Sequence, residues 1–272
     1  MGTRLIALDL DGTLLNEKMH VSEKTRQVME LCAQRGIEIV PATGRALPAV
    51  PEEVLSLPGV HYGIFTNGAV VRDFGKNTWV SESCLSWEET IRVIEVLRRH
   101  PVIYDMYVSE GGETRLLAQL EEYGIPEREC AYIRATRRAV TDMVEYLREK
   151  KCPVQKMNLN FKDRESKQAV RAQLEAMPEV LVTSSLPWNL ELNAAGITKG
   201  SGLRNLCQYL GIEAEETMAF GDGENDWPML EAAGIGVAME NGAPFLKERA
   251  DRIAASNWED GVAEAIRRWV LI

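Results

Sequence analysis

The sequence predicts an α/β protein, with a doubly wound core on a parallel sheet and an inserted α+β segment. Three observations carry this. Continuous apolar runs alternate with amphipathic helical patterns at both ends of the 272-residue chain, as strands covered by helices on both faces require. In the middle the strand-like runs switch to apolar–polar alternation, which belongs to a sheet with one face in water. Charge divides at the same places: of 31 basic and 41 acidic residues the middle segment holds 16 and 17, so nearly all of the net −10 lies in the flanking parts. The length suits two domains. We place the core at 1–83 and 188–272 and the insertion at 84–187.

The first strand is "RLIALDL", residues 4–10. Ser22 to Arg35 reads as a helix with Val28, Met29, Leu31 and Cys32 on its apolar face and Gly36 as its stop. "IEIVPAT" is a second strand ending near Pro41, which has no N–H to give to a ladder. Pro48 to Leu57 is a short helix, "YGIFTN" a third strand, and "AVVRDFGKNTWVSE" a hairpin turning at Gly75. The insertion then reads as a helix from Trp87 to Arg99, the strand "VIYDMYV", a helix near Leu116 to Tyr123 and a short strand "AYI". A helix from Val140 to Lys150 follows, then the strand "VQKMNLNF", another helix and "EVLVTS". In "VQKMNLNF", Met157, Leu159 and Phe161 alternate with Lys156, Asn158 and Asn160, which puts the polar three on a solvated face. From "NLELNAAGITKG" the β/α alternation returns, with helices from Lys199 and Asp226, strands "TMAFGD" and "GIGVAM", and a last helix "EDGVAEAIRRWV".

The surplus of acid argues against nucleic acid and anionic membranes as partners, since both need basic surface. It leaves room for an anionic substrate, because one cation and a few placed basic residues reverse the field locally. No apolar run approaches the roughly 20 residues of a spanning helix. With no secretory leader pattern and five scattered cysteines, the expected location is the cytoplasm.

Ligands of doubly wound sheets bind at the carboxyl ends of the strands. Four motifs fall there or at helix starts: Asp9-Leu10-Asp11-Gly12-Thr13, Thr43-Gly44-Arg45, Gly196-Ile197-Thr198-Lys199-Gly200, and Gly221-Asp222-Gly223-Glu224-Asn225-Asp226. Asp9 and Asp11 sit on one face of an extended segment, where their charges repel unless a cation lies between them. Oxygen-only ligands suit Mg²⁺, and Asp222 offers a further carboxylate. With no His or Cys dyad, an aspartate is the nucleophile at hand, and carboxylates serve in that role in phosphoryl transfer. Thr43 and nearby backbone N–H groups suit phosphoryl oxygens, although a threonine there is also an ordinary helix cap. Lys199 suits charge developing on those oxygens, although a lysine opening a helix is often only solvated.

"DLDGTLL", "ATGR", "GITKG" and "GDGENDWPML" resemble the four motifs of the haloacid dehalogenase superfamily of phosphatases. "IFTNGAVV", "AMENG" and "SNWEDGVAEAI" resemble its Cof-type branch, the sugar-phosphatase-like members with a large cap between the second and third motifs. Glu240 in "AMENG" stands where the family usually has a small residue. The resemblance implies a Rossmann-like core and an aspartyl-phosphate formed on Asp9. It implies that Asp11 protonates the leaving oxygen and then activates water. Mg²⁺ would be held by the Asp9 carboxylate, the Asp11 backbone carbonyl and Asp222. The Leu10 backbone, Thr43, Gly44, Lys199 and Asn225 would contact the phosphoryl group, with Asp226, Arg45 and Asn67 orienting them from behind.

The expected function is therefore a Mg²⁺-dependent phosphatase of small phosphorylated metabolites, sugar phosphates first among them. A phosphomutase, which returns the phosphoryl group to a sugar, shares most of this machinery. A non-catalytic phosphometabolite-binding module would be marked by a missing nucleophile, acid or lysine, and all three are present.

Overall fold

The computed structural model describes residues 2–108, 111–114 and 127–271. The chain divides into two compact units, Met1–Glu82 with Ile197–Ile272, and Ser83–Gly196. Among the described residues no helix is long and apolar enough to cross a membrane.

The first unit opens with β1 (Leu5–Leu8), which is wholly buried. In α1 (Glu23–Gln34) the Ser22 hydroxyl caps the first turn by accepting the Thr25 N–H, which satisfies one of the orphan donors of a helix start. Its buried stripe is Thr25, Val28, Met29 and Cys32. Leu31, expected there, is 43% exposed, because its bearing on a 3.6-residue spiral falls beside that stripe. β2 (Glu38–Pro41) ends on its proline, and the next ladder bond runs from the Ala42 N–H to the Leu8 carbonyl. The expected Pro48–Leu57 helix is split into a 3₁₀ turn at Leu47–Ala49 and α2 (Glu52–Leu55). Pro51 lies between them, and its missing N–H and fixed φ favour a fresh helix start. β3 (Tyr62–Phe65), β4 (Val70–Asp73) and β5 (Thr78–Glu82) form a small antiparallel sheet. Just past β2, Ala42 forms an isolated parallel bridge with Ile64 of β3.

In the second unit, α3 (Trp87–Leu97) starts with a capping box between Ser86 and Glu89. β6 (Val102–Val108) and β7 (Gly111–Thr114) follow. The helix expected near Leu116 to Tyr123 lies outside the described residues. Where "AYI" suggested a strand, the structure has α4 (Glu127–Thr136), with Cys130 and Ile133 buried at helical spacing. β8 (Arg137–Ala139) precedes α5 (Met143–Lys150), whose cap is the Asp142 carboxylate. β9 (Lys156–Phe161), α6 (Arg164–Glu175), β10 (Val180–Thr183) and β11 (Asn189–Ala194) complete it. β11 pairs antiparallel between β10 and β9. "NLELNA", expected to open the returning core, is thus an interior strand of this sheet, and the second unit runs to Gly196. The polar side of β9 is not solvated either: Lys156 is buried and donates to Glu191 of β11 at 2.8 Å. A charge that finds an opposite charge on the next strand can leave water.

The chain then completes the core with α7 (Lys199–Leu210), β12 (Thr217–Gly221), α8 (Trp227–Ala232), β13 (Ile235–Met239), α9 (Pro244–Arg249), β14 (Arg252–Ala254) and α10 (Gly261–Trp269). Its parallel sheet has the order β14-β13-β12-β1-β2. Successive residues of β1 face opposite sides, as a strand's period of two dictates. Ile6 and Leu8 pack with Val28, Met29 and Ile266 of α1 and α10, while Leu5 and Ala7 pack with Leu203, Leu206 and Leu230 of α7 and α8. The sheet is thus covered on both faces.

Candidate active site

In the sheet order β1 is flanked by β2 on one side and β12 on the other, so the chain leaves β1 in one direction and returns on the opposite side. Such a switch point opens a crevice at the strands' carboxyl ends. Asp9 follows β1 and Asp222 follows β12, and the Asp9 N–H is bonded to the Phe220 carbonyl at 3.1 Å. The chain then folds back sharply, with the Leu14 N–H on the Asp9 carbonyl and the Leu15 N–H on the Leu10 carbonyl. Gly12 makes this turn at a φ of +87°, and a side chain there would strike the Asp222 carboxylate, 2.4 Å from where its Cβ would lie. Only glycine allows both.

Lys199, first residue of α7 and fully buried, sits between two carboxylates. Its Nζ donates to Asp9 Oδ1 and to Asp226 Oδ1, each at 2.6 Å. Asp226 in turn accepts on Oδ2 the backbone N–H groups of Asp222 and Gly223, at 2.9 and 2.8 Å. Asp222 Oδ1 accepts the Thr13 hydroxyl at 3.2 Å. Asp9, Asp222 and Asp226 each present an oxygen, all within 4.8 Å of one another.

With all three carboxylates ionised beside the one ammonium, the cluster would carry two negative charges in surplus. Burial pushes the Asp9 carboxyl well above the usual carboxylate range; Lys199 pulls it down, and Asp226, Asp222 and Asp11 push it up again. Burial and then Asp226 push Asp222 up to about 7, against Lys199 and the Thr13 hydroxyl. Burial opposes the charge of Lys199, yet Asp226 and Asp9 outweigh it and hold its pKa above the ordinary lysine value. Crowded carboxylates resist ionising together unless a cation joins them. The donors are all oxygens and the surplus matches a dication, so the residues fit Mg²⁺.

The remaining expected residues form the rim. Asp11 points to Arg45, which grips it with a two-pronged bond, Nε to Oδ2 at 2.8 Å and Nη2 to Oδ1 at 2.6 Å. Its contribution to a metal site is therefore open only to the backbone carbonyl in this arrangement. A third guanidinium N–H of Arg45 donates to the Ala49 carbonyl. Thr43 is buried after β2, and its Oγ1 accepts the Arg45 N–H across the intervening Gly44. The Asn67 N–H donates to the Thr43 carbonyl, and Asn67 Oδ1 accepts from the Asn225 amide at 3.1 Å. Leu10 turns its side chain into the core, so only its backbone is available to a ligand. Thr13 was not singled out from sequence, although it ends the first motif. Its hydroxyl is the group that steadies Asp222.

A family model described as haloacid dehalogenase-like hydrolase matches residues 6–266. The 5-amino-6-(5-phospho-D-ribitylamino)uracil phosphatase YcsE of Bacillus subtilis strain 168 is 32% identical, over 98% of this chain and 96% of its own. A haloacid dehalogenase-like hydrolase from B. subtilis superposes with a TM-score of 0.86 at 28% identity, covering 97% of this chain and 99% of that one. A sugar phosphatase of HAD subclass IIB superposes at 0.84 with 26% identity, covering 99% and 100%.

Proposed function

The chain belongs to the haloacid dehalogenase-like hydrolases, in their Cof-type branch, and is a phosphatase of small phosphorylated metabolites; from that premise we propose a Mg²⁺-dependent mechanism through an aspartyl-phosphate on Asp9, with phosphorylated sugars or sugar alcohols as substrates. One observation carries the mechanism: a buried lysine holds Asp9 at 2.6 Å beside two more carboxylates whose combined charge calls for a dication.

Asp9, Asp222 and the Asp11 backbone carbonyl would hold the metal. Bound there, Mg²⁺ would offset the negative charge on both nucleophile and phosphoryl oxygens, which lets an anion approach an anion. Asp9 attacks phosphorus, the P–O bond to the leaving group breaks, and the phosphoryl group stays on the carboxylate. Asp11, once its carboxyl is released from the Arg45 fork and protonated, gives its proton to the departing oxygen. It then takes a proton from the water that attacks the aspartyl-phosphate, which returns Asp9 and releases inorganic phosphate. Splitting the displacement in two replaces one hard step by two easier ones. Lys199 keeps Asp9 in place and neutralises charge on the phosphoryl oxygens, with the Thr43 hydroxyl, the Asn225 amide and the Leu10 and Gly44 backbone completing the cradle. Catalysis then rests on positioning and charge, as phosphoryl transfer generally does.

The substrate class rests on the relatives. One acts on a phosphoribitylamino-uracil and another on sugar phosphates, and both substrates present a phosphate on a hydroxylated carbon chain. A panel of phosphorylated sugars, sugar alcohols, nucleotides and cofactors, assayed for phosphate release with Mg²⁺ and with EDTA, tests this. We expect hydrolysis highest on sugar and sugar-alcohol phosphates, none with EDTA, and none in Asp9→Asn. Full activity in EDTA contradicts the metal, and isomerised sugar phosphate without phosphate release indicates a mutase instead.

A further inference from the structure

Two segments that mark the chain's branch, "AMENG" and "SNWE", take no part in the chemistry above, yet their asparagines reach the catalytic loop. The Asn241 amide Nδ2 donates to the Gly12 carbonyl at 2.8 Å. Its Oδ1 accepts the Asn257 backbone N–H at 3.1 Å, and the Asn257 amide donates to the Leu15 carbonyl at 2.7 Å. Both ends of the segment from Gly12 to Leu15 are thereby tied to the C-terminal part of the chain. The same turn also grips the other side of the site, since the Ala243 N–H donates to the Asp222 carbonyl at 2.8 Å.

We propose that Asn241 is a positioning residue for metal binding, which fixes the Asp11–Gly12 backbone relative to the Asp222 carboxylate. The inference rests on the reading of Asp9, the Asp11 carbonyl and Asp222 as the metal's ligands. Gly12 lacks a Cβ and so has the widest backbone freedom of any residue. Left to itself, it would let the Asp11 carbonyl swing away from Asp222. The Asn241 amide pins the Gly12 carbonyl one peptide further on, and the Asn241–Ala243 turn holds Asp222 by its backbone. One short turn thus sets the spacing of ligands that lie more than two hundred residues apart in sequence. Groups behind metal ligands act in this way, and their loss commonly weakens metal affinity tenfold or more.

The test is Mg²⁺ binding to the substrate-free protein, followed by calorimetry, with metal-free thermal unfolding as the check on folding. Asn241→Ala is expected to bind Mg²⁺ at least about tenfold more weakly than wild type, and Asn257→Ala more weakly by a smaller factor. At saturating Mg²⁺ the KM for an aryl phosphate should stay near the wild-type value, which a general loss of structure would not allow. Asn241→Asp sharpens the test: its added charge would by itself attract the cation, so weaker binding there too points to the lost amide donor. Wild-type Mg²⁺ affinity in folded Asn241→Ala overturns the inference. If Asn241→Ala does not fold, the Asn257→Ala affinity decides by the same criterion. Asp222→Asn separates the two levels: if it binds Mg²⁺ as wild type does, the ligand assignment itself is wrong.

Discussion

At the floor of the site one ammonium, Lys199, satisfies two carboxylates at once. Removing it leaves Asp9 and Asp226 buried and unbalanced, and breaking such a pair costs about 3–5 kcal/mol. Lys199→Met should therefore lose about that much stability in urea unfolding, together with turnover. Adding Asp226→Asn should recover part of the stability and none of the activity, because the charge proposed to face the phosphoryl group is still missing. Unchanged unfolding in the single variant would contradict the electrostatic account. The identities of Asp9, Lys199, Asp222 and Asp226 are legible in the sequence, since each sits in a short motif at a strand end or helix start. Which oxygen each partner takes is not. A motif fixes residue order, whereas the fork from Arg45 to Asp11 depends on where two loops put their side chains, 34 positions apart. The pairing of Lys156 with Glu191 was hidden for the same reason, and alternation alone suggested water where the structure has an ion pair.

The helix α7 delivers Lys199, and its seat is set by a neighbouring turn. Thr198 caps α7 with a box closed by Ser201. Against that first turn lies Gly68, at a φ of +96°, where a Cβ would stand 2.0 Å from the Thr198 carbonyl oxygen. Gly68→Ala must therefore push α7 and its lysine aside. We expect a loss of about 1–3 kcal/mol, the usual cost of overpacking, and a fall in kcat. Ser86→Ala, which removes the cap of α3 in the second unit, should cost about 1 kcal/mol and leave kcat unchanged. Equal kcat in wild type and Gly68→Ala would show that the α7 position does not matter to the reaction. Helices with clear caps, such as α1, α3 and α7, are legible from sequence. "AYI" was not, because three apolar residues are too few to separate a strand from one turn of a helix; burial of Cys130 and Ile133 at helical spacing decides it.

The structure divides the chain after Glu82 and after Gly196, whereas the change of pattern placed the junctions after 83 and after 187. There "NLELNA" resembles the buried strands of the core because it is buried too, in the middle of the other sheet. A strand's partners are set by long-range pairing that periodicity does not encode. The junction has a direct consequence. A fragment 83–196 keeps β11 between β10 and β9 and should give a cooperative unfolding transition. A fragment 84–187 splits that sheet and should show none. Equal folding of the two would return the boundary to the sequence-based position.

Nucleophilic attack by Asp9 is the claim on which the other roles depend. It is tested most directly in Asp11→Asn with an activated aryl phosphate, whose leaving group needs no proton. Phosphoryl transfer to the enzyme should then proceed while its hydrolysis stalls. Acid-quenched samples analysed by peptide mass spectrometry should carry one phosphoryl group, on Asp9. Continued turnover without an adduct, or an adduct on any other residue, would contradict the mechanism.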